Sequence, residues 1–310
     1  MELLYPVVAV GGLALLIVSA EALIRAAASL AQQWNIPASI LGLTLIAFGT
    51  SLPEIAVTFS AAYNGSPDMA IGSVVGSNVA NFCLCIGLTA LFAGIPINRW
   101  TRRMDFPACM LVTALSAVLL WDGVLDFTDG ALLVGSLALY LLLLYLTSKS
   151  RSGDAVDEVE QRPILAESGL ILLNLALVAA ASEATIWGAL HTAKLLGVSD
   201  LIIGITLLAV GSSLPEIVVS VQGARIGQTD LVIANVIGSN IINLAAALGG
   251  VAMITSLQSE PIIHRDLTAM LGATLIMGLL IYLNRNSRLG RLCSLLLVPY
   301  AMYLFFVVVE

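Results

Sequence analysis

The chain has 310 residues, 59% hydrophobic and 11% charged, with a mean hydropathy of +1.00 and a formal net charge of -7. Soluble domains carry roughly 25% charged residues, so these figures exclude a soluble globular protein, and a pI near 4.8 argues against a nucleic-acid partner. Apolar runs of about 20 residues, the length that crosses a ~30 Å hydrocarbon core as helix, fill the sequence and predict an all-α polytopic membrane protein whose one evident environment is the lipid bilayer.

Ten spans are predicted. The first, 3–20, lacks a basic leader and a small-residue cleavage site, so it reads as a retained helix rather than a signal peptide. Its helical composition continues through Glu21 to Ala31. The next four fall at 38–62, 69–93, 104–121 and 128–147. A polar stretch at 148–163 follows, with Asp154, Asp157, Glu158 and Glu160 close together. The sixth span, 164–182, again continues as helix from Glu183 to Leu196. The last four are 199–222, 229–256, 267–283 and 290–308. The organisation expected is one five-helix repeat over 1–147, a linker over 148–163, and a second five-helix repeat over 164–310. Cys83, Cys85, Cys109 and Cys293 all lie in apolar segments without C-x-x-C spacing, which reads as small buried hydrophobes.

The basic residues orient the chain. With the N-terminus outside, eleven of the thirteen Lys and Arg fall in inside loops, and only Lys194 and Arg265 fall outside. The positive-inside rule then makes the 148–163 linker cytoplasmic and puts both termini outside. A missed or extra span would scatter this bias.

The sequence repeats itself at an offset of 162. Gly42 to Ile55 (G-L-T-L-I-A-F-G-T-S-L-P-E-I) and Gly204 to Ile217 (G-I-T-L-L-A-V-G-S-S-L-P-E-I) are identical at ten of fourteen positions. V-G-S-N-V-A-N at Val75–Asn81 matches I-G-S-N-I-I-N at Ile237–Asn243 in the same register. Gly, Pro, Glu and Asn in register twice are not what apolar low complexity produces. Five spans per half is an odd number, so the second copy enters the membrane inverted. Inverted repeats commonly carry their substrate site near the midplane, on helices interrupted at matching positions.

Pro53 and Pro215 lack the helical donor and clash with the carbonyls of Gly49 and Gly211, so both helices should bend or unwind there. Freed carbonyls in a bilayer need partners inside protein or in a water-filled cavity, and a hard cation is one. Thr50, Ser51, Ser212 and Ser213 add hydroxyls within a turn of the breaks. Glu54 and Glu216 follow at mid-span, where an ionised carboxylate costs at least about 2–3 kcal/mol. No Lys or Arg lies at their depth, so protons or a metal cation must compensate them. Carboxylates, carbonyls and hydroxyls form an all-oxygen set suited to Ca²⁺ or Na⁺ and poor for Zn²⁺ or Cu²⁺. Ser77, Asn78 and Asn81 with Ser239, Asn240 and Asn243 add polar groups on one helix face each, and Gly76 and Gly238 permit close helix approach.

These strings resemble the alpha repeats of the Ca²⁺/cation antiporter superfamily, in its Na⁺/Ca²⁺ exchanger branch, and the resemblance covers the whole chain, most closely the small prokaryotic exchangers. It implies an integral protein of a prokaryotic inner or plasma membrane that is not an enzyme, needs no cofactor and transports Ca²⁺ and Na⁺. By resemblance, Glu54 and Glu216 are central Ca²⁺ ligands with the carbonyls of Thr50 and Ser212. Na⁺ sites would use Ala47, Ser51 and Ser77 in one half and Ala209, Ser213 and Ser239 in the other, with Asn81 and Asn243 completing the central layer. Proton-coupled Ca²⁺ exchangers typically carry G-N-x-x-E where this chain has G-T-S-L-P-E. Asn243 stands where some relatives carry Asp, which leaves two carboxylates and weakens any case for K⁺ co-transport. Ser212 replaces the commoner Thr and keeps its hydroxyl. The helices at 3–20 and 164–182 would slide over the rest.

Proton coupling in place of Na⁺ stays open at this level. A channel is disfavoured, because two motif layers about a pseudo-two-fold point to one occluded site. An intramembrane hydrolase would need a buried Ser–His or Asp–Asp pair, yet His191 and His264 fall in outside loops. Glu21 and Glu183, also 162 apart, either sit in water at span ends, Glu21 with Arg25 at i,i+4, or meet ions on their way in. No protein partner is evident.

Overall fold

The computed structural model describes residues 3–151, 163–198, 211–259, 263–283 and 288–309. The described chain is helical nearly throughout. In chain order the helices are α1 (Leu4–Gln33), α2 (Ala38–Thr50), α3 (Leu52–Tyr63), α4 (Pro67–Phe92), α5 (Phe106–Leu119), α6 (Phe127–Arg151), α7 (Ile164–Leu195), α8 (Leu214–Arg225), α9 (Thr229–Ala252), α10 (Ile263–Leu283) and α11 (Leu297–Val309). Six of these are long and apolar enough to cross a membrane, and seven if the bent pair α2–α3 counts as one. The predicted span 104–121 is represented by the 14-residue α5 behind a π turn at Thr101–Asp105. That at 290–308 is a 3₁₀ stretch, Arg291–Leu296, leading into α11. The span 199–222 falls outside the described residues up to 210, and its remainder is α8.

Helix ends follow local chemistry. Asp126 accepts from the main-chain N–H groups of Thr128 and Asp129, and the Asp129 side chain accepts from the Asp126 N–H, a capping box that starts α6. Gly65 and Gly227, again 162 apart, take φ of 72° and 81° in the turns before α4 and α9. A side chain at either position would be strained. As their composition led one to expect, α1 and α7 run well beyond residues 20 and 182.

The layering is set by burial. In its most apolar window α9 is 94% buried and α4 is 78% buried, against 33% for α1 and α7 and 22% for α6. The two helices that carry the G-S-N strings therefore form the centre. Helices α1 and α7 lie along each other on the periphery. A Cβ on Gly12 would stand 2.7 Å from Thr185 Oγ1, and one on Gly188 would stand 2.5 Å from the Ala9 nitrogen. Small residues thus let two backbones touch, the usual device where lipid offers no hydrophobic drive for helix association.

Two short antiparallel bridges tie the halves together. Ile95–Pro96 pairs with Arg288–Leu289, and Val124–Leu125 pairs with Leu257–Gln258. In each bridge the loop after the central helix of one half joins the loop before the last helix of the other. Ile95 and Leu257 are 162 apart. At the end of α6, Arg151 forms a bidentate pair with Asp105 at 2.8 and 3.0 Å, the Tyr140 hydroxyl donates to the same carboxylate at 3.2 Å, and the guanidinium lies 4.9 Å over the Trp100 ring. The pair is buried, and its hydrogen bonds offset the desolvation of both charges.

A close backbone approach at the centre lies at Gly238 of α9, where a Cβ would fall 2.6 Å from the Leu43 carbonyl oxygen and 2.7 Å from the Ala47 Cβ. Gly238→Ala is expected to cost about 1–3 kcal/mol through forced backbone shifts, read as a lower melting temperature in detergent. Gly135→Ala, on the exposed face of α6 with nothing described within 4 Å, is expected to be neutral or slightly stabilising.

Candidate ion-binding site

The first break lies at Ser51, whose φ/ψ of -84°/0° ends α2. The axis turns by 43° into α3. Pro53 sits in the first turn of α3 and Pro215 in the first turn of α8, where the missing N–H costs nothing. Ser213 precedes α8 with φ/ψ of -89°/9°, nearly the values of Ser51, so the two breaks share a local geometry. Glu54 and Glu216 lie in the first turns of α3 and α8. The positive ends of these helix dipoles therefore face the carboxylates.

Both glutamates are fully buried. Glu216 Oε1 accepts from the Ser51 hydroxyl at 3.4 Å, and the Thr50 and Ser239 hydroxyls also face this carboxylate. The carboxylate of the second half is thus met by two hydroxyls of the first half and one of its own. Glu54 is near enough to Glu216 to be repelled by it. Neither of its oxygens has a hydrogen-bond partner among the described residues. The described ion pairs of Arg25, Arg151 and Arg265 all go elsewhere. Glu216 Oε2, Ser213 Oγ and Asn243 Oδ1 are likewise buried without a described partner. Leaving one such atom unsatisfied costs about 1–3 kcal/mol. Five oxygens in that condition, three of them from carboxylates, are ligands of the type that Ca²⁺ takes, though fewer than its usual 6–8.

The asparagines brace the crossing of α4 and α9. Asn78 Nδ2 donates to the Asn240 carbonyl at 3.2 Å, and Asn240 Nδ2 donates to the Asn78 carbonyl at 3.4 Å. One turn on, Asn81 Nδ2 donates to Asn240 Oδ1 at 3.0 Å and Asn243 Nδ2 donates to Asn78 Oδ1 at 3.4 Å. Every one of these contacts maps onto its partner by the offset of 162. Asn243 Nδ2 also donates to Ser77 Oγ at 3.1 Å, which leaves its carbonyl oxygen as the group it can offer. Both helices widen into a π turn at this level, at Asn81–Cys85 and Asn243–Leu248. Such bulges are frequent at functional sites.

A cavity of about 510 Å³ reaches the site from one side. It is lined by Ser77, Gly211 and Ser212 at depth and by Glu183 and Asp266 farther out. Glu183 therefore belongs to a path toward the motif residues. Glu21 is instead the exposed partner of Arg25 at 2.7 Å.

Of the residues singled out in the sequence, Thr50, Ser51, Glu216 and Ser239 come together directly, with Glu54 beside them. Ser77 and Asn243 touch, and Asn81 joins through Asn240. The Ala47 carbonyl accepts the Ser51 N–H at 3.1 Å and lies 3.4 Å from Thr50 Oγ1. Ser212 lines the cavity and Ser213 is buried. Ala209 lies outside the described residues. His191 is held by the Trp187 carbonyl and stacked on Tyr5, and His264 by the Trp121 carbonyl, so no Ser–His pair arises there. The four cysteines are free and buried. Cys85 is more than filler, since its thiol donates to Asn81 Oδ1 at 3.6 Å.

A buried polar residue beside Thr50 was not anticipated. Asn235 of α9, fully buried, accepts from Thr50 Oγ1 at 3.4 Å. The repeat could not flag it, because the position 162 earlier is Ser73.

Comparison with known proteins bears on the family and the fold. The profile of a family described as sodium/calcium exchanger protein matches residues 4–146 and again 167–309. The CaxA protein of Alkalimonas amylolytica is 38% identical over 289 residues, covering 91% of this chain and 89% of that one. The sodium/calcium exchanger MaX1 of Methanosarcina acetivorans is 27% identical over 278 residues, covering 77% and 79%. Among solved structures, the sodium-calcium exchanger NCX_Mj soaked with zero Na⁺ and Ca²⁺ superposes with a TM-score of 0.84 at 29% identity, covering 99% of this chain and 100% of that one.

The reciprocal asparagine contacts predict their own energetics. Asn78→Ala and Asn240→Ala are each expected to cost about 1–3 kcal/mol, because each strands buried partners. The double variant should cost clearly less than the sum. Thermal unfolding of the four proteins in one detergent checks this, and strict additivity would count against the clamp.

Proposed function

The chain belongs to the sodium/calcium exchanger protein family, and from that premise we propose that it exchanges Na⁺ for Ca²⁺ across a prokaryotic inner or plasma membrane by alternating access. The observation that carries the reading is the pair of buried carboxylates at two matching helix breaks, with no basic partner among the described residues and unpartnered oxygens around them. Two negative charges neutralise one Ca²⁺. With several Na⁺ in their place the same oxygens carry a positive remainder. Because the ligands are shared, one load excludes the other, and exchange follows from that competition. The likeness to NCX_Mj, whose structures were obtained with Na⁺, Ca²⁺ or Sr²⁺ in the soak, supports Na⁺ as the coupling ion over H⁺.

In this reading the chain has ten spans in two inverted five-helix repeats, 1–147 and 164–310, joined by a cytoplasmic linker at 148–163. The double match of the family profile, the two reciprocal bridges and the reciprocal asparagines support it. The basic residues favour both termini outside, which makes the cavity at Glu183 and Asp266 an outside path. The Ca²⁺ ligands are Glu54, Glu216 and the carbonyls of Thr50 and Ser212. Na⁺ binds with Ala47, Ser51 and Ser77 on one side and Ala209, Ser213 and Ser239 on the other, with Asn81 and Asn243 between. Helices α1 and α7, packed on each other through Gly12 and Gly188, would move as one body over the remainder.

In proteoliposomes an outward Na⁺ gradient is expected to drive Ca²⁺ uptake, and Glu54→Gln or Glu216→Gln to abolish it. Wild-type flux retained in either variant would sink the ligand assignment. Uptake driven by a pH gradient in Na⁺-free medium, with none driven by Na⁺, would replace Na⁺ coupling by H⁺ coupling.

A further inference from the structure

The two repeats match at every motif position that offers oxygen to the site except one interacting pair. Thr50 touches Asn235. The residues 162 away from them are Ser212 and Ser73. The first pair is large and sealed, with Thr50 at 1% and Asn235 at 0% exposure. The second pair is small, and both of its members line the cavity that leads out past Glu183. The site is therefore enclosed where the pair is Thr–Asn and open where it is Ser–Ser.

Hydrogen-bond capacity sharpens the role of Asn235. The Thr50 hydroxyl has one proton to give. Around it stand the Ala47 carbonyl at 3.4 Å, Asn235 Oδ1 at 3.4 Å, Ser239 Oγ at 3.5 Å and the Glu216 carboxylate. At the same time Asn235 Nδ2 is buried without a described partner. Oxygen and nitrogen of an amide have the same shape, and their assignment follows from the hydrogen-bond network. Turned over, the amide gives Thr50 a donor in place of a competing acceptor, and the hydroxyl proton is then free to point at Glu216. It also turns the Asn235 oxygen toward the place its nitrogen had occupied.

We propose that Asn235 is a positioning residue for the antiport site: its amide fixes the Thr50 hydroxyl against Glu216 and closes the site on the Thr50 side, making the two otherwise matching repeats unequal. This rests on the exchange reading above and deepens it. Asn235 acts through Thr50, so its removal changes how tightly the site holds cations before it changes the fold.

The test uses the full chain purified in detergent. Apparent Kd values for Na⁺ and Ca²⁺ are taken from the rise in melting temperature on titration, with choline chloride holding ionic strength. Asn235→Ser installs the residue that the first repeat carries, and Asn235→Ala removes the polar group. Loss of one hydrogen bond to the site predicts an apparent Kd for Na⁺ weakened by about threefold or more in both variants, with the cation-free melting temperature nearly unchanged in Asn235→Ser. Thr50→Val, which removes the hydroxyl, alone and combined with Asn235→Ser, completes a cycle whose effects on Kd should be non-additive. Unchanged Kd values in Asn235→Ser, additivity in the cycle, or a loss of melting temperature with Kd intact would each overturn the proposal. A wild-type protein that binds cations but does not exchange them would overturn the antiport reading and leave the Asn235 result to stand on its own.

Discussion

Where α4 crosses α9, Asn78 and Asn240 each donate to the other's main-chain carbonyl, and the rest of the site takes its position from that crossing. In a bilayer each unmet polar group costs several kcal/mol, so four amides that satisfy one another tolerate no slip in register. A shift of either helix by one residue would break all four contacts. The glutamates can stay underpaired because the side-chain N–H groups of the asparagines beside them hold the two helices in register. Rigidity in one layer holds the unsatisfied layer in place.

The site is also shared between halves in a way that neither half possesses alone. Ser51 of the first half donates to Glu216 of the second, and Asn243 of the second donates to Ser77 of the first. The two bridges do the same for the loops. At the periphery the relation is different. Helices α1 and α7 touch each other through glycine and alanine backbones, and the buried face of α1 packs with Ile46, Val218 and Leu231 of the centre.

Much of this was legible in the sequence because the repeat marks both members of a contact at once. Glu54 with Glu216, the serines beside them and the prolines that break the helices stood out by identity at a fixed offset, and the helical continuations after residues 20 and 182 stood out by composition. What escaped was of two kinds. Asn235 was invisible because its counterpart is Ser73, so the comparison that found the other residues discarded it. The π turns at Asn81 and Asn243 were invisible because their residues suit an ordinary helix. One extra residue per turn leaves no mark on hydropathy. The asparagine spacing placed Asn78 and Asn81 on one face but did not say that the face meets its own copy.

The reciprocal contacts have a consequence for how such a chain is made. Asn78 is synthesised 162 residues before Asn240, an interval of roughly 10–30 s at ordinary rates of synthesis. For that time the amides of Asn78 and Asn81 sit in a half-built protein with the partners that will satisfy them not yet inserted. The first half must therefore wait in the membrane as a loosely packed assembly, with its polar face turned to water, the insertion machinery or its own backbone. The site then forms late and all at once, when α9 arrives.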